Sequence, residues 1–131
     1  MKKLNRIALS GLLILPAAIA AAVPASLAPA AGGLWELSQR ADGHGATRMC
    51  VASPEVLAQY EHRQGRCTRV IISDKGSEAV IHYTCADGGF GRSQLTLLTP
   101  RSLRIDTQGI SGGLPFHYQL HARRIGDCGA R

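Results

Sequence analysis

The chain has 131 residues, is 45% hydrophobic but only 5% aromatic, and carries a formal charge of +6. Such a length admits one domain, and so few aromatics, none interleaved with the arginines as a stacking platform, exclude a nucleic-acid-binding reading. Three of the 15 basic residues, Lys2, Lys3 and Arg6, stand at the very start, so the remainder balances 12 basic against 9 acidic residues, near +3.

Those three charges open a signal-peptide pattern. Ile7 to Ile19 is a run of apolar and small residues, too short to span a bilayer comfortably, and Ala18, Ala20, Ala21 and Ala22 offer A-x-A cleavage sites after Ala20 or Ala22. A cut after Ala28 would leave Pro29 next to the scissile bond. No cysteine lies nearby to take a lipid anchor. Residues 1–22 therefore read as a signal peptide, 23–32 as a flexible Ala/Pro leader, and 33–131 as one β-rich domain. The expected location is the periplasm, with the membrane met only through the signal peptide before its removal.

From Gly33 onward the apolar residues alternate, with turn residues between short runs. Leu34 to Gln39 is the first predicted strand, with Trp35 and Leu37 on one face; Asp42 to Gly45 is a turn, and Thr47 to Val51 the second strand. Ser53-Pro54-Glu55 opens one short helix, Ser53 as cap and Pro54 at the first helical position, with Val56, Leu57 and Tyr60 as its apolar stripe. Strands follow at Thr68–Ser73, Glu78–Cys85, Arg92–Leu98 and Leu103–Thr107, separated by Asp74-Lys75-Gly76, Asp87-Gly88-Gly89 and Thr99-Pro100-Arg101. A loop from Gln108 to Pro115 leads to Phe116–Arg124, where Phe116, Tyr118 and Leu120 share a face opposite His117, Gln119 and His121. The fold expected is all-β, mainly an antiparallel meander in a curved sheet or small barrel, with one short helix and two disulfides.

Four cysteines, Cys50, Cys67, Cys85 and Cys128, all lie in the exported part, where an even count points to disulfides. Three pairings are open. The favoured one joins Cys50 to Cys67, clipping the helical excursion, and Cys85 to Cys128, tying the chain end to the sheet. A metal site from Cys50, Cys67, His44 and His62 has no compact zinc spacing, and His117 and His121 stand about 13 Å apart on a strand, so no metal or other cofactor is expected. Gly109-Ile110-Ser111-Gly112-Gly113 has the letters of a nucleophile elbow without the strand-to-helix turn that motif needs. No catalytic residue is assigned and an enzyme is not expected. Trp35 is read as structural, with Arg124 near it.

Gly33-Leu34-Trp35-Glu36 at the start, Cys50 before a Ser-Pro-Glu helix opening, Cys67, Tyr83-Thr84-Cys85, and Arg123-Arg124-Ile125-Gly126-Asp127-Cys128 at the end resemble the bacterial exported family called "domain of unknown function 3617". The resemblance implies export and a β-rich fold, and no activity. Within it the expected function is a non-catalytic periplasmic binding module whose partner is an envelope protein or polymer. Two alternatives stand beside it. Gly33-Leu34-Trp35 with a late arginine is similar to the lipocalin pattern, which implies a small barrel carrying an apolar ligand. The stretch Tyr83 to Gly88 is similar to a hairpin of small periplasmic lysozyme inhibitors.

Overall fold

A computed structural model describes residues 11–15 and 23–129. The signal-peptide reading falls largely on residues outside that range. Among the described residues no helix is long and apolar enough to cross a membrane.

The domain is an antiparallel sheet of seven strands: β1 Gly33–Ser38, β2 Thr47–Val51, β3 Cys67–Lys75, β4 Glu78–Cys85, β5 Phe90–Thr99, β6 Ser102–Ser111 and β7 Leu114–Gly126. Their order is β2-β1-β7-β6-β5-β4-β3. The meander β3 to β7 is thus extended by pairing the start of the domain with its end, Trp35 opposite Arg124 and Leu37 opposite Ala122. Of the two architectures open to the sequence, the sheet is the open one, with β2 and β3 as edges. On β3 a register shift between Ile71 and Ser73 marks a bulge, which blunts an edge where Val70 and Ile72 are exposed.

Alternation puts Trp35, Leu37, Ile81, Leu95, Leu103, Ile105 and Leu120 on one face, all at most 1% exposed. That inner face is covered by a 3-10 segment, Pro54–His62, which contributes Leu57 and Ala58 to the core. Its geometry departs from the helix expected. Gln59 breaks the helical backbone, and Ser53 makes no capping bond; its hydroxyl donates instead to the Glu55 carboxylate. Short 3-10 pieces let the segment turn between two edge strands while keeping Leu57 inward.

The leader is not free. Ala25–Leu27 forms a 3-10 turn, Leu27 is fully buried and Ala30 nearly so. The Ala25 and Ser26 amides donate to the two carboxylate oxygens of Asp74 at 2.8 and 2.9 Å. Composition alone made 23–32 a flexible leader; one leucine and one carboxylate make it part of the fold.

The Gln108–Pro115 loop is also a correction. β6 runs to Ser111 and β7 starts at Leu114, joined by Gly112 and Gly113 with φ of +57° and +78°. Positive φ at both positions is the two-residue turn that matches strand twist, and only glycine adopts it freely.

Candidate functional site

The inner face carries a polar and aromatic network where the 3-10 segment meets β4, β5 and β7. Tyr118 donates to Glu61, and the Tyr60 ring meets Tyr118 edge-on at 6.3 Å. His62 Nδ1 lies 3.0 Å from the Tyr83 hydroxyl, and the imidazole also faces Phe116 at 5.9 Å. Two glycines make room. A Cβ on Gly91 would stand 2.5 Å from the Tyr83 oxygen, and one on Gly89 2.3 Å from His62 Nε2. Burial, reinforced by the Glu61 charge, pushes the Tyr83 phenol up to about 12. Burial first, then the bond to Glu61, raises Tyr118 also. Both phenols therefore stay protonated, and Tyr118 acts as the donor to Glu61. Beneath them Ser93 donates to the Ala58 carbonyl and shares a bond of 2.8 Å with Thr107. The network is buried around His62, Tyr83, Ser93 and Thr107 and half-buried at Tyr118 and Glu61, and of it only His62 Nε2 has no partner among the described residues; its work is to lock the 3-10 segment onto the sheet.

Beside it, three turns gather at one end of the sheet and surround an open polar pocket of about 420 Å³ lined by Glu61, His62, Arg63, Gln64, Asp87 and Ser111. Arg63 is engaged with its neighbour: its guanidinium stacks over the Tyr60 ring at 4.6 Å and donates to the Tyr60 carbonyl. Among the described residues Ser111 makes no side-chain hydrogen bond, to a histidine or otherwise. A nucleophile needs a base within reach, and Ser111 sits at a strand end without one.

The outer face differs. Strand register places His82, Arg92, Gln108 and His117 in one row across β4 to β7, and Thr84, Phe90, Ile110 and Pro115 in the row beside it. The His82 and Phe90 rings lie near-parallel, 6.4 Å apart. Together these rows line a hollow of about 540 Å³, continuous through Arg92, Gln108 and His117 with a polar groove of about 310 Å³ that reaches Gln94 and Asp106. Neither row carries a carboxylate. Arg92 makes no ion pair or side-chain hydrogen bond among the described residues, whereas Glu36 pairs with both Arg48 and Arg123 farther along the same face. The strand alternation already put His117 on the face opposite Phe116; its meeting with Arg92 and His82 depends on register, which a single sequence does not encode.

The remaining sequence expectations fall out as follows. Trp35 is fully buried, its indole N–H donating to the Ala31 carbonyl at 3.2 Å. Arg124 stands opposite it in register, but its guanidinium donates to the Gly32 carbonyl and to Asp127 and lies against Gly33, where a Cβ would come within 2.8 Å of it. The cysteines pair differently from the favoured scheme: Cys50 bonds Cys128, and Cys67 bonds Cys85. Cys67 and Cys85 are direct partners in the β3–β4 hairpin, and Leu34 lies between Cys50 on one side and Gly126 on the other, so the chain end arrives at Cys50. Among the described residues no three potential ligands gather for a metal ion.

The model of the family described as "Protein of unknown function (DUF3617)" matches residues 27–128. The chain belongs to this family. No curated protein and no solved structure matches it. In this DUF3617 member the matched span starts at Leu27, the buried residue of the leader, and ends at Cys128. It therefore takes in Asp74, both disulfides and all the residues of the outer hollow, and begins just after the two amides that Asp74 holds.

Proposed function

We propose that this DUF3617 protein is an exported, non-catalytic envelope protein that takes an anionic, partly apolar partner in the hollow of its outer face. The observation that carries the reading is the register of the two rows: His82, Arg92 and His117 beside Phe90, Ile110 and Pro115, with no carboxylate in either. An unpaired guanidinium attracts an anion, and the neighbouring apolar row rewards a ligand that buries hydrocarbon. Export is supported by the basic start followed by an apolar run and by two disulfides with no free cysteine among the described residues. The absence of a nucleophile–base pair around Ser111 supports binding over catalysis. The carrier alternative loses its room, because Leu57 and Ala58 occupy the inner face where an interior ligand would lie.

The test is a backbone amide NMR titration of protein purified from a bacterial periplasm, with dodecyl phosphate as the anionic amphiphile and dodecyl maltoside as its neutral counterpart. Dodecyl phosphate should shift the amides of residues 82, 90–92, 108–110 and 115–117, and Arg92→Gln should remove its advantage over the maltoside. Shifts scattered over the molecule, or centred on the inner network, would overturn the binding face. Release of inorganic phosphate during the titration would overturn the non-catalytic reading.

A further inference from the structure

We propose that the partner of the outer hollow is the surface of an anionic lipid bilayer, on which the protein docks peripherally by the β6–β7 hairpin tip and the two outer rows. The proposal rests on the reading of the hollow as the binding face and names what occupies it.

The apolar residues at this end protrude rather than enclose. Leu114, at the hairpin tip and in phase with Phe116 rather than with the hollow's Pro115 and His117, is 70% exposed; on the outer face Phe90 is 41% and Val70 55% exposed. Pro115 is exposed too, and Ile110 is half-buried. A site for a free amphiphile covers most of the ligand's surface, and an open hollow flanked by outward-pointing side chains does not. A bilayer needs no such enclosure, because its own chains supply the apolar surroundings once Leu114 and Phe90 dip below the headgroups. Shallow apolar insertion alone gives marginal binding; a second, electrostatic signal is needed to hold a protein there.

Charge supplies that second signal. Along a strand Arg92 lies two residues from Phe90, about 7 Å, which matches the offset between a buried hydrophobic residue and the phosphate level. His82 and His117 flank it on the same row, and Arg66 is exposed at the foot of β3 on the same end. The carboxylates at this end are Asp87, in the β4–β5 turn, and Glu61, which line the pocket beside Ser111, and Asp106, one row farther from the tip. The two rows themselves carry no acidic group. The glycine turn lets the tip present Leu114 without strain, and the strand pairing behind it keeps Leu114 and Arg92 at a fixed spacing.

Vesicle co-sedimentation tests this with the periplasmically purified chain, its N-terminus fixed by mass. Mixed phosphatidylcholine–phosphatidylglycerol vesicles should bring the protein down, and phosphatidylcholine alone should not. Leu114→Asp should weaken binding roughly tenfold or more and Arg92→Gln roughly fivefold, and added salt should weaken it further. Leu98→Asp, at another exposed apolar residue (55%) on the opposite end of β5, should leave it unchanged. The exposed positions of Leu114 and Leu98 keep the fold out of the comparison, and circular dichroism checks it. If phosphatidylglycerol vesicles fail while dodecyl phosphate still maps to the hollow, the bilayer is overturned and the binding face stands, with a protein surface next in line. If both fail, the binding face falls as well. Binding that is insensitive to Arg92, or lost with Leu98→Asp, overturns the docking geometry.

Discussion

The Tyr118 hydroxyl donates to the Glu61 carboxylate, joining the last strand to the end of the 3-10 segment that covers the core. A hydrogen bond to a charged acceptor contributes about 1.5–3 kcal/mol, so Tyr118→Phe and Glu61→Gln should each destabilise by about 1–2 kcal/mol at this partly buried site, and the double variant by less than the sum. Urea denaturation of the four proteins measures that coupling.

The same residues set the alkaline limit. The Tyr83 phenol, pushed up to about 12 by burial and then by the Glu61 charge, holds its proton in the fold where the unfolded chain releases it near 10. Stability is therefore complete below pH 10 and falls as the pH rises from about 10 to 12. Ultraviolet titration should show phenols that ionise only as the protein unfolds. In Glu61→Gln the Tyr83 phenol should titrate lower. An unchanged profile in that variant would show that burial alone protects it.

The disulfides differ in what they close. Cys50–Cys128 spans 78 residues of sequence and Cys67–Cys85 spans 18. In the chain-entropy model these are worth about 4.5 and about 3 kcal/mol. Cys128→Ser should cost more than Cys85→Ser in a background where the partner cysteine is also serine. Peptide mapping without reduction should return the Cys50–Cys128 and Cys67–Cys85 peptides and no Cys50–Cys67 species.

These pairings mark where the sequence stops being legible. Alternation and the turns at Asp42–Gly45, Asp74–Gly76 and Asp87–Gly89 are local signals, and all seven strands could be read from them. The partner of Cys128 depends instead on β1 pairing with β7, a contact between the two ends of the domain that no local pattern announces. The same holds for the outer site: His117 is visibly on the face opposite Phe116, but Arg92 and His82 join it only through the register of four strands. The leader failed for another reason. Its composition is that of a linker, and a single Leu27 together with an Asp74 fifty residues away overrules it.

Under the proposed export, that clip predicts where a signal peptidase would cut. Cleavage after Ala20 or Ala22 keeps Leu27 and the amides bound to Asp74; cleavage after Ala28 would remove them. The mass of the protein recovered after expression with bacterial export should correspond to one of the two earlier sites. The Asp74 carboxyl is held below its ordinary range chiefly by Ser26, whose side chain lies near it and whose amide donates to it, and then by the Ala25 amide. Its contribution is present above the unfolded value near 3.8 and is lost as the pH falls through the folded one. Asp74→Asn should speed hydrogen exchange at residues 25–30 at neutral pH and leave exchange in β5 and β6 slow. Leu27→Ala should cost roughly 2–5 kcal/mol, as for other fully buried leucines.

Gly91 offers the sharpest packing test. It faces Tyr83 across the β4–β5 pair, and a Cβ there would meet the Tyr83 oxygen at 2.5 Å and the ring carbon bearing it at 2.6 Å. Tyr83 has nowhere to withdraw, being fully buried and bonded to His62. Gly91→Ala should therefore destabilise by roughly 1–3 kcal/mol through overpacking, even though alanine suits an ordinary strand backbone better than glycine. Tyr83→Phe in that background removes the oxygen but leaves the ring, so it should recover only part of the loss. If Gly91→Ala is neutral in urea denaturation, the tyrosine is free to move and the close approach does not hold the 3-10 segment against the sheet. Full recovery in the double variant would place the conflict at the hydroxyl alone.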